Sequence, residues 1–278
     1  MRTVRFFLLA LLVLSCKTRR VESYQAPPPE PEPAPKVAPP APPPVVVAQA
    51  PAPETHNQAG LSPYRGKKDA KATIVVFTDL QCPFCSKANA TLREVRAVYG
   101  DELRIVWKDL PLSAIHKAAL PAALAARAVR KQSDDQFFLF TDLVFSRQSE
   151  ISSWVDAASF EPLVALVPGI NLEQWRKDIT DPELSKAIET DIALSKVFGV
   201  NGTPMFFING EPFSGAQTKE KFMEVIDRQS SRAALLFASG IKPENLYSSL
   251  IEGGKTVRTK GDPAPTLYRV PVESVAAP

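Results

Sequence analysis

The sequence predicts an α/β domain, and three observations carry that reading. A continuous β-branched apolar run, Ala72 to Thr78, leads directly into a helical pattern. A helix-rich block follows at about residues 113 to 198, and strand signal returns only at Met205 to Ile208, ahead of a closing helix. The expected order is therefore β-α-β, helical insertion, β-β-α.

Each element has a local cause. Ala72 to Thr78 lacks alternation, as a strand buried on both faces does. After Asp79-Leu80-Gln81 the residues Ala88, Leu92, Val95 and Val98 recur at three- and four-residue steps, and Gly100 is placed to end the helix. Leu103 to Trp107 reads as a second strand. The middle block is Ala-rich over 113–132, then carries Phe137, Phe138, Phe140 and Phe145, then helical stretches at Leu172 to Ile179 and Pro182 to Phe198. Some of these phenylalanines are expected at a surface beside the sheet domain, suited to unfolded polypeptide or self-association. Trp154 and Trp175 are expected in packing positions. Asn209-Gly210 is a two-residue hairpin signal between Ile208 and Pro212-Phe213. A last amphipathic helix runs from Thr218 into Leu236, with Phe222, Val225 and Ile226 on one side. Residues 239–278 carry repeated Gly and Pro and are expected to be an irregular tail, with Leu267 to Val272 as an isolated strand at most.

The segment ahead of this domain is of different material. Thirteen of the chain's 27 prolines lie between Pro27 and Pro53. Residues 16–60 hold almost nothing that could bury a core, so a disordered, Pro/Ala-rich tether is expected there, extended in polyproline II. Residues 1–15 read as a signal peptide: Arg2 and Arg5 precede an apolar run from Phe6 to Leu14 that is too short to span a bilayer. Val13-Leu14-Ser15-Cys16 resembles the lipobox of bacterial lipoproteins, which would make Cys16 a lipid-modified anchor to a membrane. Without Asp at position 17, outer-membrane sorting is favoured. A soluble periplasmic protein cut nearby is the alternative. The net charge of +3 carries no basic stripe, which excludes nucleic acid as an expected partner.

Chemistry concentrates in Cys82-Pro83-Phe84-Cys85, which follows a strand and opens a helix. Free amides in a first helical turn stabilise a thiolate, so Cys82 is expected to be the more exposed, lower-pKa nucleophile and Cys85 the resolving thiol. Pro83 suits an early helical position, and Phe84 shapes the rim. Zinc would need four ligands, and beyond this pair the chain has only Cys16, His56 and His116, so no metal and no other cofactor is expected. A purely structural disulfide is the bland alternative.

Asp79 to Cys85, Lys108-Asp109-Leu110-Pro111-Leu112 and Gly199 to Gly210 together resemble the DsbA-like thioredoxin family, over roughly residues 62 to 235. The resemblance implies a thioredoxin fold with an inserted helical domain, here spanning residues 61–238. It also implies that Pro204 is a cis-proline facing the cysteines, with the Thr203 backbone open to an extended substrate. One departure stands out: members with this local sequence carry an acid six positions before the first cysteine, where this chain has Val76. Asp79 and Lys108 are then the nearest candidates for proton transfer or electrostatic support. His116 reads as a polar residue at the edge of the helical domain.

The function expected is thiol-disulfide exchange in the bacterial envelope, chiefly disulfide oxidation of exported, cysteine-containing polypeptides, with an unidentified redox partner to recharge the pair. Reductase or isomerase activity of the same fold, a polypeptide-binding holdase and a scaffold lipoprotein are the alternatives.

Overall fold

The computed structural model describes residues 62–263 and 266–273. The signal peptide, Cys16, the tether and His56 lie outside the described residues.

Fourteen strands and helices follow in chain order. They are β1 (Tyr64–Arg65), β2 (Ala72–Thr78), α1 (Pro83–Tyr99), β3 (Leu103–Asp109), α2 (Ala119–Arg130), α3 (Asp134–Ser146), α4 (Gln148–Ile151), α5 (Glu161–Val164), α6 (Leu172–Asp178), α7 (Pro182–Val197), β4 (Met205–Ile208), β5 (Glu211–Ser214), α8 (Lys219–Ala238) and α9 (Leu246–Ile251). The sheet order is β1-β3-β2-β4-β5, with β2 and β3 parallel and every other pair antiparallel. This is the thioredoxin arrangement with a helical insertion that the resemblance implied, and it keeps the expected element order. The edge strand β1 is two residues long, too short to carry a sequence pattern.

Both faces of the sheet are covered, which is why β2 and β3 are buried at every position. On one face Ile74, Val76, Ile105, Phe206 and Ile208 pack with Leu92 and Val95 of α1 and Phe222 and Ile226 of α8. On the other, Val75, Phe77, Val106 and Phe207 pack with Leu194 and Phe198. The insertion builds its own core, in which Phe137, Phe138, Phe140 and Phe145 join Trp107 and the two cysteines. The phenylalanines expected at a surface are all buried, because Phe137, Phe138 and Phe145 pack on Trp107 and Phe140 packs on Phe160. Trp175 is fully buried, and Trp154 stacks edge-on against Phe160.

Residues after 238 differ from the irregular tail expected. They contain α9, and Tyr268 and Val270 are buried against the β4 side of the sheet. The Tyr268 N–H donates to Gly210 O at 2.8 Å. Gly210 has φ +85, and a Cβ there would sit 2.6 Å from the Tyr268 carbonyl oxygen, so the hairpin turn and the docked tail require the same glycine. A tail poor in apolar residues by count still anchors through two well-placed ones.

Candidate functional site

Parallel pairing of β2 with β3 sets the site at one end of the sheet, where Thr78 lies opposite Asp109. The chain leaves β2 through Asp79, and that carboxylate organises the next turn. Its Oδ1 accepts from the Gln81 amide at 2.7 Å, and its Oδ2 accepts from the Leu112 amide at 2.8 Å and lies 2.7 Å from His116 Nδ1. Gln81 Oε1 accepts from the Ala118 amide at 2.7 Å. From the insertion, Gln148 Nε2 donates to Leu80 O at 2.8 Å and to Cys82 O at 3.0 Å. The turn is thus clamped by the 112–118 loop on one side and by α4 on the other.

Asp79 therefore positions the cysteine turn, its oxygens being occupied by N–H groups. His116 is not an edge residue: its side chain is only 17% exposed and holds Asp79. Lys108, the other electrostatic candidate, is committed elsewhere. Strand alternation turns it away from the Trp107 face, and its Nζ lies 3.3 Å from Asp191 Oδ1 and donates to Glu273 O at 2.9 Å. Burial pushes Lys108 below its usual range against the pull of Asp191. Arg127 of α2 completes the cluster, with Nε 2.5 Å from Asp109 Oδ2 and Nη2 2.6 Å from Asp191 Oδ2. This buried network ties α2 and α7 of the insertion to β3.

Cys82 caps α1 at its N-terminus, with extended backbone angles, and Pro83 follows at the first helical position. Exposure does not separate the cysteines, since Cys82 is 4% and Cys85 1% exposed, both as free thiols. Hydrogen bonding separates them. The Cys85 thiol, donating to the Cys82 sulfur, does most to lower the Cys82 pKa to about 5, and the amides of Cys85 and Phe84 add to it against the cost of burial. Burial, with that donated bond, raises Cys85 well above an ordinary thiol. The first thiol thus ionises more readily and the second holds its proton.

Across from the pair, the Thr203–Pro204 peptide is cis, and Cys82 Sγ lies 3.6 Å from Thr203 O. The structure thus gathers Cys82, Cys85, Pro83, Phe84, Thr203 and Pro204 at one place. Phe84 is 64% exposed, and Ile115, in the loop that holds Asp79, is 71% exposed. Both are large apolar residues left in solvent beside the sulfurs' support. Among the described residues no cluster of side chains has the makings of a metal site. Sequence reasoning missed the roles of Gln81 and Gln148 and read His116 as an edge residue, because a clamp made across 37 and 66 residues leaves no local motif.

The family model described as Thioredoxin matches residues 58–228. The sodium/proton antiporter NhaA 1 of Mycolicibacterium gilvum is 32% identical over 153 residues, which is 54% of this chain and 24% of that protein. The chain thus spans about a quarter of the length of the curated relatives it matches first. Among solved structures, a thioredoxin-like oxidoreductase from Silicibacter pomeroyi is 25% identical, with a TM-score of 0.52 over 60% of this chain and 91% of its own. Wolbachia pipientis alpha-DsbA1 is 20% identical, with a TM-score of 0.56 over 63% of this chain and 94% of its own, and shares the fold. Among the described residues no helix is long and apolar enough to cross a membrane.

Proposed function

Because this chain belongs to the thioredoxin family, in its DsbA-like form, we propose that it exchanges disulfides with exported polypeptides through Cys82 and Cys85, acting mainly as an oxidant. The observation that carries the reading is the placing of Cys82 at the α1 N-terminus, its Sγ 3.6 Å from Thr203 O and ahead of the cis Pro204, with its pKa lowered. A stabilised thiolate stabilises the reduced protein, so the disulfide form is the better electron acceptor. In the oxidising cycle a substrate thiolate attacks Cys82 Sγ, and Cys85 leaves as a thiolate and takes up a proton. A second substrate thiolate then attacks the substrate sulfur of the mixed disulfide and releases Cys82. Two electrons pass to the protein, and a partner that accepts them restores the disulfide.

The substrate is an extended segment that pairs with the Thr203 backbone and lays apolar side chains on Phe84 and Ile115. Equilibrating the purified chain in glutathione buffers tests the direction. A Cys82 pKa of about 5 lies between the values of about 7 and about 3.5 that accompany potentials of roughly −270 and −120 mV. A potential on the oxidising side of that interval supports the proposal, and one at or below roughly −270 mV assigns a reductase instead.

The site of action we propose is the bacterial envelope on the periplasmic side. Cys16 serves as the lipid anchor at the outer membrane, and residues 16–60 as a spacer to the domain at 61–238, with 239–273 folded back on it. Incorporation of labelled fatty acid into the wild-type chain but not into Cys16→Ala tests the anchor. Label in neither assigns a soluble form.

A further inference from the structure

The position where an acid would stand under Cys85 is Val76, and the cavity beside it holds a charge of the opposite sign. That cavity, about 10 Å³ and so at the lower limit for one water, is lined by Val76, Thr78, Cys85, Trp107 and Phe138, and by Arg65 from β1. Of the residues lining it, only Arg65 and Cys85 ionise. Arg65 pairs with Ile105 in register, on the strand face that also presents Trp107. Its guanidinium lies 4.5 Å from the centre of the Phe138 ring, and its Nε is buried without an acceptor among the described residues. Burial lowers its pKa only to about 10, so it keeps its charge at neutral pH.

An arginine with a bare, buried Nε against an aromatic face is expensive to retain for packing alone. Charges of both signs lie around it. Asp142 of α3 attracts it but spends Oδ1 on Asn89 Nδ2 at 2.6 Å, and Arg93 and Arg96 of α1 repel it, with Asp135 of α3 a weaker attraction. Across the cavity, Cys85 must carry negative charge during exchange, in a setting that disfavours it. We propose that Arg65 supplies the positive potential that stabilises the Cys85 thiolate, taking from the sheet edge the supporting role that Val76 cannot play.

The inference rests on the exchange reaction proposed above and holds for either direction. In the resolving step Cys85 loses its proton and attacks Cys82 Sγ. The Cys82–substrate S–S bond breaks, the Cys82–Cys85 bond forms, and the substrate thiolate leaves and takes up a proton. The substrate is reduced by two electrons and the protein oxidised by two. In reverse, Cys85 is the leaving thiolate.

Single-turnover reaction of the reduced full chain with Ellman's reagent separates the two thiols. The first release of thionitrobenzoate reports attack by Cys82, and the second reports its expulsion by Cys85. In Arg65→Met the first release should be unchanged. The second should slow about tenfold at fixed pH, equivalent to about 1.4 kcal/mol, with its pH profile moved upward. Arg65→Lys should restore most of the rate. A second release as fast in Arg65→Met as in wild type overturns the proposal, as does Arg65→Lys being as slow as Arg65→Met. If Arg65→Met does not fold, Arg65→Lys against Arg65→Gln decides in the same way: a slow Gln variant beside a fast Lys variant supports the charge, and equal rates refute it. Absence of a first release from wild type would instead sink the exchange reading itself.

Discussion

Replacing Cys85 with alanine removes the largest cause of the low Cys82 pKa while sparing the helix that carries it. The Cys82 pKa is lowered to about 5 chiefly by the Cys85 thiol, with the amides of Phe84 and Cys85 adding to it. A hydrogen bond to a charged group contributes about 1.5–3 kcal/mol, or about 1–2 pKa units at about 1.36 kcal/mol each. Cys85→Ala should therefore move the midpoint to roughly 6–7, still below the roughly 8.5 of a free thiol, because the first-turn amides remain. The pH-dependent rate of iodoacetamide alkylation, read by mass spectrometry, measures this directly. In wild type alkylation should be at its plateau at pH 7 and fall by half at about pH 5. Since the folded pKa lies below that of a free thiol, the reduced protein gains stability as pH rises between those values. It loses that gain as pH falls through about 5. A midpoint that stays near 5 in Cys85→Ala would show that the helix terminus alone holds the thiolate. One that reaches 8.5 would show that the helix terminus contributes nothing.

Three further outcomes are expected. Asp191→Ala leaves Lys108 and Arg127 buried with reduced countercharge and should cost about 3–5 kcal/mol in urea unfolding; a loss under about 1 kcal/mol would mean the network is solvated. Phe84→Ala, at a side chain largely in solvent, should leave stability within about 0.5 kcal/mol yet slow oxidation of a reduced, unfolded protein more than that of glutathione. Equal effects on both would remove Phe84 from polypeptide binding. Tyr268→Ala should destabilise by about 3–5 kcal/mol, which an irregular tail would not do.

The cysteine pair, its helix and both central strands were legible because each is written locally. Seven residues in a row that are apolar or threonine describe a two-sided strand, and a Cys-x-x-Cys with proline at the helix start describes its own geometry. The clamp around Asp79 was only half legible: Asp79 stood out as a charge near Cys82, but its partners Leu112 and His116 come from another loop. Lys108 misled for the same reason. A lysine after an apolar strand reads as a charge near the site, whereas the two-residue period of the strand aims it at Asp191 on α7.

By itself the sequence determined the class of fold, and it singled out the two thiols proposed to react, with Cys82 as the one expected to attack. Those properties depend on periodicity and on a helix terminus, which neighbours in the chain supply. Tertiary structure decided what surrounds the thiols: burial of the four phenylalanines, the anchoring of the tail by Tyr268, and the placing of Arg65, from a strand of two residues, in the cavity under Cys85. These depend on which elements meet across the sheet, and a charge at its edge bears on a distant sulfur only once folding has removed the water between them.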